Sequence, residues 1–286
     1  MCLWPVAFVY TKLCASVRLI EFLKPELLAS AMLDLEVESA KNLGLARQWV
    51  QAAQHLVVLS GAGVSAESGV PPFRDARTGY WAQFDPQEMA SEAGFRAHPE
   101  RVWQWYSYRR ELVAAVPPNA AHLALAAFAK AHPNKLSLIT QNVDGLHQRA
   151  GSHDVISLHG DVMRNQWLDA CGPCCEMAKT VAQGGQPPRC STCGNMLRPG
   201  VVWFGEHLPV DALARAEAAV NACDVMLVVG TSGVVYPAAG LVFQAQQQGA
   251  KVVMVNPQAT ELDMLANALV RAPAAQVLPV LLDCVV

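Results

Sequence analysis

Charge is scarce in this chain of 286 residues: Asp, Glu, Lys and Arg make up only 16 %, and they leave a formal net charge of −3. No basic surplus is present to attract a polyanion, so a nucleic-acid partner is not expected. No apolar run reaches bilayer-spanning length, so a membrane partner is not expected either. Cysteine is present but odd in number, nine in all, which excludes a fully paired disulfide framework. Internal repeats and low-complexity tracts are absent. What the chain does have is 52 % hydrophobic residues, too many for long disorder. That is enough apolar material for one large domain, or a large and a small one. The composition says nothing about oligomeric state.

The first residues do not read as a secretory signal. Leu3 to Tyr10 is apolar, but Lys12 and Arg18 follow it rather than precede it. Residues 1–32 are expected to form a poorly ordered extension, with Met32 a plausible alternative start. Beyond it, Leu43 to Ala53 reads as a helix. Short apolar runs follow at Leu56 to Leu59, Leu136 to Ile139, Val155 to Leu158, Val225 to Val229 and Lys251 to Val255. Helical stretches at Ala120 to Ala131, Val210 to Ala222 and Ala238 to Gln248 separate several of them. Buried strands alternating with helices imply an α/β fold built on a doubly wound, Rossmann-like parallel sheet. Two stretches break the alternation, Phe84 to Val116 and Asp161 to Pro199. They are expected to form a smaller domain (84–116 and 161–199) beside a large one (33–83, 117–160 and 200–286).

Several strand ends carry residues with chemical uses. Gly61-Ala62-Gly63 follows the first strand, where glycines let the backbone approach a pyrophosphate closely. A lone G-x-G serves a tight turn equally well. Gly230-Thr231-Ser232 and Asn256 follow two further strands, and three such turns together favour a dinucleotide. Thr140-Gln141-Asn142-Val143-Asp144 follows another strand, with side chains that can hold a ribose or carboxamide, or simply cap a turn. Leu158-His159-Gly160 places a histidine at a strand end, where an imidazole can act as general base. Most of the eight histidines are expected to be structural. Cys171-x2-Cys174 and Cys190-x2-Cys193 are separated by about fifteen residues, the spacing of a four-cysteine zinc ribbon. Four thiolates leave no open coordination position, so such a zinc is structural. Cys175 is an alternative to Cys174. Paired cysteines used this way point to a reducing compartment, and the cytoplasm is expected.

Taken in order, these pieces resemble the sirtuin family. The matching segments are Gly61 to Ser65 with Ser68 to Pro71 and Phe73-Arg74; Thr140 to Asp144; Leu158 to Gly160; the cysteine pairs; Arg198-Pro199 with Trp203 to Glu206; Gly230 to Ser232; and Val255 to Pro257. The resemblance runs from about Leu43 to the C-terminus. It implies a Rossmann-like large domain, a small domain made of a zinc ribbon and a helical insert, and a cleft where NAD+ meets an acyl-lysine strand of a protein substrate. It places Gly61, Ala62, Gly63, Phe73, Arg74, Tyr80, Gln141, Asn142 and Asp144 around NAD+, with Asn142 and Asp144 near the nicotinamide. Gly230, Thr231, Ser232, Asn256, Pro257, Gln258 and Ala274 fall near the ribose and adenine. Glycine is common in the family near Ala274. His159 matches the catalytic histidine, which helps deprotonate a ribose hydroxyl once nicotinamide has been displaced by the acyl oxygen. The implied products are free lysine, nicotinamide and acyl-ADP-ribose. Val202, Phe204, Gly205 and Glu206 match the substrate strand. The same NAD+ residues would serve an ADP-ribosyltransferase, or a zinc-ribbon module that senses NAD+ without turnover; intact Asn142, Asp144 and His159 argue against the latter.

A narrower resemblance concerns the acyl group. Trp105-Tyr106-Ser107-Tyr108-Arg109-Arg110 is similar to the signature of class III sirtuins, which accept acidic acyl groups such as succinyl. Tyr106 and Arg109 lie three apart and share a helical face. Arg109 offers a planar fork suited to a carboxylate, and Ala90 matches a position where a small residue leaves room for a longer chain. Without the family, an aromatic helix packed on the core with Arg109 in a surface ion pair explains the same residues.

Overall fold

The computed structural model describes residues 25–71, 84–170, 172–176 and 185–284. Strands form where β-branched and leucine side chains run together. These are β1 (Leu56–Ser60), β2 (Leu136–Thr140), β3 (Ile156–Ser157), β6 (Val225–Val229), β7 (Lys251–Val255) and β8 (Ala268–Val270). They pair in parallel in the order β3-β2-β1-β6-β7-β8, one six-stranded sheet. Every residue of β1 and of β6 is buried. Continuous burial is what a central strand covered by helices on both faces requires.

The two faces have separate cores. One packs Val58, Leu227 and Val253 against Ala121, Leu125, Val277 and Leu278. The other packs Val57, Leu59, Met226 and Val228 against Ala216, Val220, Val242 and Ala245. The helices supplying those residues are Ala120–Ala131 and Ala274–Leu281 on the first face, Val210–Ala222 and Gly240–Gln247 on the second. Asn119 starts the first of them with a capping box, its side chain accepting the Ala121 N–H at 3.0 Å. The helix expected from Leu43 begins earlier, at Pro25, and runs to Ala52. Residues 1–24 lie outside those described. β8 and the helix Ala274–Leu281 have no counterpart among the expected elements.

A third core lies outside the sheet. Met89, Ala90, Phe95, Val102, Trp105, Tyr106, Val162, Val201 and Trp203 pack together. Most come from the helices Pro86–Met89, Glu92–Ala97 and Pro99–Ala115 and from an antiparallel ribbon of β4 (Gly160–Trp167) with β5 (Leu197–Val201); Ala90 lies between the first two helices and Trp203 just after β5.

The sheet reverses its winding between β1 and β6, the switch point where open α/β sheets bind ligands. There the two strand-end turns touch backbone to backbone. The Gly61 N–H donates to the Val229 carbonyl at 2.9 Å and the Gly63 N–H to the Gly230 carbonyl at 2.7 Å. A Cβ on Gly63 would sit 2.7 Å from the Gly230 Cα, and one on Gly230 would sit 2.5 Å from the Val64 nitrogen. Gly230 also has φ +61°, a conformation that side chains disfavour. Gly230→Ala is expected to lower unfolding free energy by about 1–3 kcal/mol, the usual scale of overpacking. A urea midpoint equal to that of the parent protein would show that the turns can move apart.

Candidate functional site

The carboxyl ends of β1, β2, β3, β6 and β7 gather His159 and most of the residues assigned to the dinucleotide. Thr231, just past β6, is a hub among them. Its hydroxyl accepts from Gln141 Nε2 at 3.1 Å, and its carbonyl accepts from Asn256 Nδ2 at 3.0 Å. That ties the ends of β2, β6 and β7 into one floor. Ser232 is exposed on it. Pro257 and Gln258 are exposed next to Asn256, and Arg271 donates to the Gln258 carbonyl at 2.9 Å. Ala274 is buried at the start of its helix, and the next N–H, of Ala275, donates to Glu67 Oε2 at 2.7 Å. Glu67 therefore anchors this helix end to the segment that follows the first glycine turn. An acidic group at a helix start is stabilised by the unpaired N–H groups there.

Asn142 and Asp144 are held from the same side. Asn142 Nδ2 donates to the Gly61 carbonyl and to Ser65 Oγ, both at 3.1 Å. Ser65 Oγ donates to Asp144 Oδ2 at 2.8 Å, and Asp144 Oδ1 accepts the Leu146 N–H at 2.9 Å. Burial pushes the Asp144 carboxyl above its ordinary range; the Leu146 N–H, the Ser65 hydroxyl and the Arg109 charge work against that shift. Ser65 lay inside the first motif without a role of its own. Its place at the centre of this chain of bonds depends on contacts across about eighty residues of sequence, as the separations of 77 and 79 positions show.

His159 follows β3 and is half-buried. Its Nδ1 lies 2.9 Å from the Gln141 carbonyl, an acceptor only, so Nδ1 carries the proton and Nε2 keeps its lone pair. Burial depresses its pKa below the ordinary 6.5, partly offset by the Gln141 carbonyl. A neutral imidazole with a fixed tautomer is the form a general base needs.

The segment after β5 runs between His159 and Ala90. The Val202 N–H donates to the His159 carbonyl at 2.9 Å, and the Phe204 N–H to the Ala90 carbonyl at 2.8 Å. Phe204 is 47 % exposed, high for a large apolar side chain. Gly205 takes φ +88° to turn the chain. Glu206 pairs with Arg198, whose guanidinium lies 3.5 Å over the Trp203 ring. Tyr106 is buried in the third core, and its hydroxyl accepts from Trp203 Nε1 at 3.0 Å. Arg109 is 8 % exposed, so the alternative of a surface ion pair does not hold. Burial lowers the Arg109 pKa, with Tyr106 and Asp144 opposing.

The Sγ atoms of Cys174, Cys175, Cys190 and Cys193 lie within 4.8 Å of one another. Sulfurs at about 2.3 Å from one zinc sit at comparable mutual separations, so the donor set fits that metal. Cys174 and Cys175 both lie in this cluster. Phe73, Arg74, Tyr80 and Cys171 lie outside the described residues.

A doubly wound sheet with a polar floor at its switch point, a separate core outside the sheet and a cluster of four thiols define a nucleotide-binding α/β protein with an inserted metal-binding part. The Sir2 family profile matches residues 61–237. An NAD-dependent protein deacylase of Ralstonia nicotianae is 58 % identical over 246 residues, 86 % of this chain and 98 % of the relative. One of Mycolicibacterium paratuberculosis is 50 % identical over 231 residues, 80 % and 96 % of the two chains. A solved Sir2 homologue–NAD complex superposes with a TM-score of 0.74 at 41 % identity, covering 84 % of this chain and 92 % of that one. A Sir2–p53 peptide–NAD+ complex gives 0.69 at 32 %, covering 82 % and 95 %. The chain belongs to the Sir2, or sirtuin, family. Among the described residues no single helix is long and apolar enough to cross a membrane.

Two buried imidazoles next to the floor set a pH limit. Burial depresses His122 to about 4 and His147 to about 3, from an ordinary 6.5. The unfolded chain therefore takes up protons before the folded one does. Their contribution is intact above pH 6.5 and shrinks as pH falls towards those depressed values. Each ring is expected to remove up to about 1.4 kcal/mol per pH unit in that window. Urea unfolding at a series of pH values checks this; a flat stability between pH 6.5 and 5 would contradict it.

Proposed function

We propose that this protein is an NAD-dependent protein lysine deacylase that accepts acetyl and succinyl-type acyl groups. The observation that carries the reading is that His159 is held by Gln141, while Asn142 and Asp144 are held by the turn after β1, beside the switch point of the sheet. Relatives at 58 % and 50 % identity are named NAD-dependent protein deacylases, and similar structures hold NAD or a peptide with NAD+.

NAD+, when bound, supplies an anomeric carbon activated by a cationic leaving group. Gly61, Ala62 and Gly63 let the main chain come close to its pyrophosphate. Asn142 and Asp144 orient the nicotinamide side, and the family resemblance assigns Phe73, Arg74 and Tyr80 to the NAD+ site as well. Thr231, Ser232, Asn256, Pro257, Gln258 and Ala274 line the ribose and adenine side, and Gln141 braces the floor. His159 Nε2 accepts a proton from a ribose hydroxyl. Val202 to Glu206 and Ala90 receive the acyl-lysine strand of a protein substrate, with Phe204 covering the lysine stem. One structural zinc holds the small domain, residues 84–116 and 161–199, through Cys190, Cys193, Cys174 and one of Cys171 or Cys175. Thiolates kept reduced for zinc suit a cytoplasmic protein.

His159→Ala is expected to slow deacylation at least about a hundredfold, the scale of lost general-base catalysis, with the melting temperature unchanged. Turnover near that of the parent protein on an acetyl-lysine peptide would remove His159 from the mechanism.

Acyl choice follows from Tyr106 and Arg109 on one face of the helix Pro99–Ala115. A buried guanidinium favours an acyl chain that ends in a carboxylate, because the pair is charge-assisted and fork-shaped. Losing one partner of such a pair costs about 2–5 kcal/mol. Catalytic efficiency on succinyl-lysine is therefore expected to equal or exceed that on acetyl-lysine. Arg109→Met should remove most desuccinylation and largely spare deacetylation, and Tyr106→Phe should do the same more mildly. Equal loss of both activities in Arg109→Met would make Arg109 a packing residue.

A further inference from the structure

His147 is a buried histidine that the reaction does not use, and it lies behind the floor of the site. Its Nε2 is 2.9 Å from Ser60 Oγ, at the last residue of β1. Ser60 Oγ donates in turn to Thr140 Oγ1 at 2.8 Å. A hydroxyl has one proton, so Ser60 must accept from the ring, and His147 presents Nε2–H. Thr140 Oγ1 also accepts the backbone N–H of Asn142 at 3.0 Å. The chain of bonds thus runs from His147 through two hydroxyls to the main chain at Asn142. Ser60 is 0 %, His147 1 % and Thr140 2 % exposed, so solvent does not substitute for any of these partners.

Position 142 matters because β2 has ended at Thr140. The Gln141 N–H still bonds to the Ser60 carbonyl at 2.9 Å. At Asn142 a side-chain hydroxyl takes the place that a neighbouring strand would fill. Residues 141 and 142 together carry the carbonyl that fixes the His159 tautomer and the amide anchored to Gly61 and Ser65. A shift of this short segment moves the base and the nicotinamide-side amide at once. Burial keeps the His147 ring neutral at ordinary pH, so it acts as a fixed donor and not as a titrating switch. His122 packs against it with ring centroids 4.8 Å apart, which fixes the plane of the ring.

We propose that His147 and Ser60 are positioning residues for the deacylation, holding residues 141–142 in register through the Thr140 hydroxyl. The inference rests on the deacylase reading. It is tested with the full-length chain by steady-state kinetics on NAD+ and an acetyl-lysine peptide, alongside calorimetric titration with ADP-ribose. Ser60→Ala and His147→Leu should each lower kcat about tenfold or more, since displacements near 1 Å at a reacting group reach about a hundredfold. The stoichiometry of ADP-ribose binding and the peptide KM should stay close to those of the parent protein. His147→Gln, whose side-chain amide can donate where Nε2–H did, should recover most of the loss. The double variant Ser60→Ala/His147→Leu should be no slower than the worse single one, because both break the same chain. Unchanged kcat in Ser60→Ala would overturn the proposal, and so would a loss in His147→Leu that His147→Gln does not repair. If His147→Leu fails to fold, Ser60→Ala and His147→Gln decide alone. Absence of turnover by the parent protein on any acyl-lysine peptide would overturn the deacylase reading itself.

Discussion

The contact between two glycine turns at the centre of the sheet is the constraint on which the rest of the site depends. Gly63 donates to Gly230, Gly61 donates to Val229, and there is no room for a methyl group between them. This brings the ends of β1 and β6 within one backbone hydrogen bond of each other. Thr231, the next residue, can then reach both Gln141 on one side and Asn256 on the other. Gly61 can offer its carbonyl to Asn142. A wider separation would break both sets of bonds together. The floor is rigid because its parts share partners, and a rigid floor is what orients a ligand without reorganisation.

The parallel sheet was legible because each buried strand is a short run of Val, Leu, Ile or Met ending in glycine or a small polar residue. β6 and β7 are clear cases, Val225–Val229 before Gly230 and Lys251–Val255 before Asn256. β8, only Ala268–Val270, has too few residues to produce a pattern and exists because β7 offers it an edge. Helix starts were read well where a cap marks them, as at Asn119, and poorly at Pro25–Ala52, which begins well before the expected Leu43.

The chemistry was legible in a different way. Single motifs were ambiguous, and their order along the chain made them specific. Composition and spacing do not reveal which polar residues bond to which. Ser60 looks like an ordinary member of a strand, and Ser65 and His147 like ordinary members of short helices. Their roles come from partners about eighty positions away, 80 for Ser60 with Thr140 and 87 for Ser60 with His147. The spacing of the cysteines indicated a metal site, but the clustering of Cys175 with Cys174 is a matter of how the short helix Pro173–Glu176 turns its side chains.

The ribbon of β4 and β5 begins immediately after His159 and ends immediately before Val202, and Gly160 pairs with Val201 across its root. Gly160 has φ +82°, and its α-carbon faces the Gly200 carbonyl so closely that no side chain fits. The root of the ribbon is therefore pinned on both strands at a point one residue from the imidazole. A side chain at position 160 would therefore part the two strands next to His159, so this one position governs how the ribbon joins the sheet.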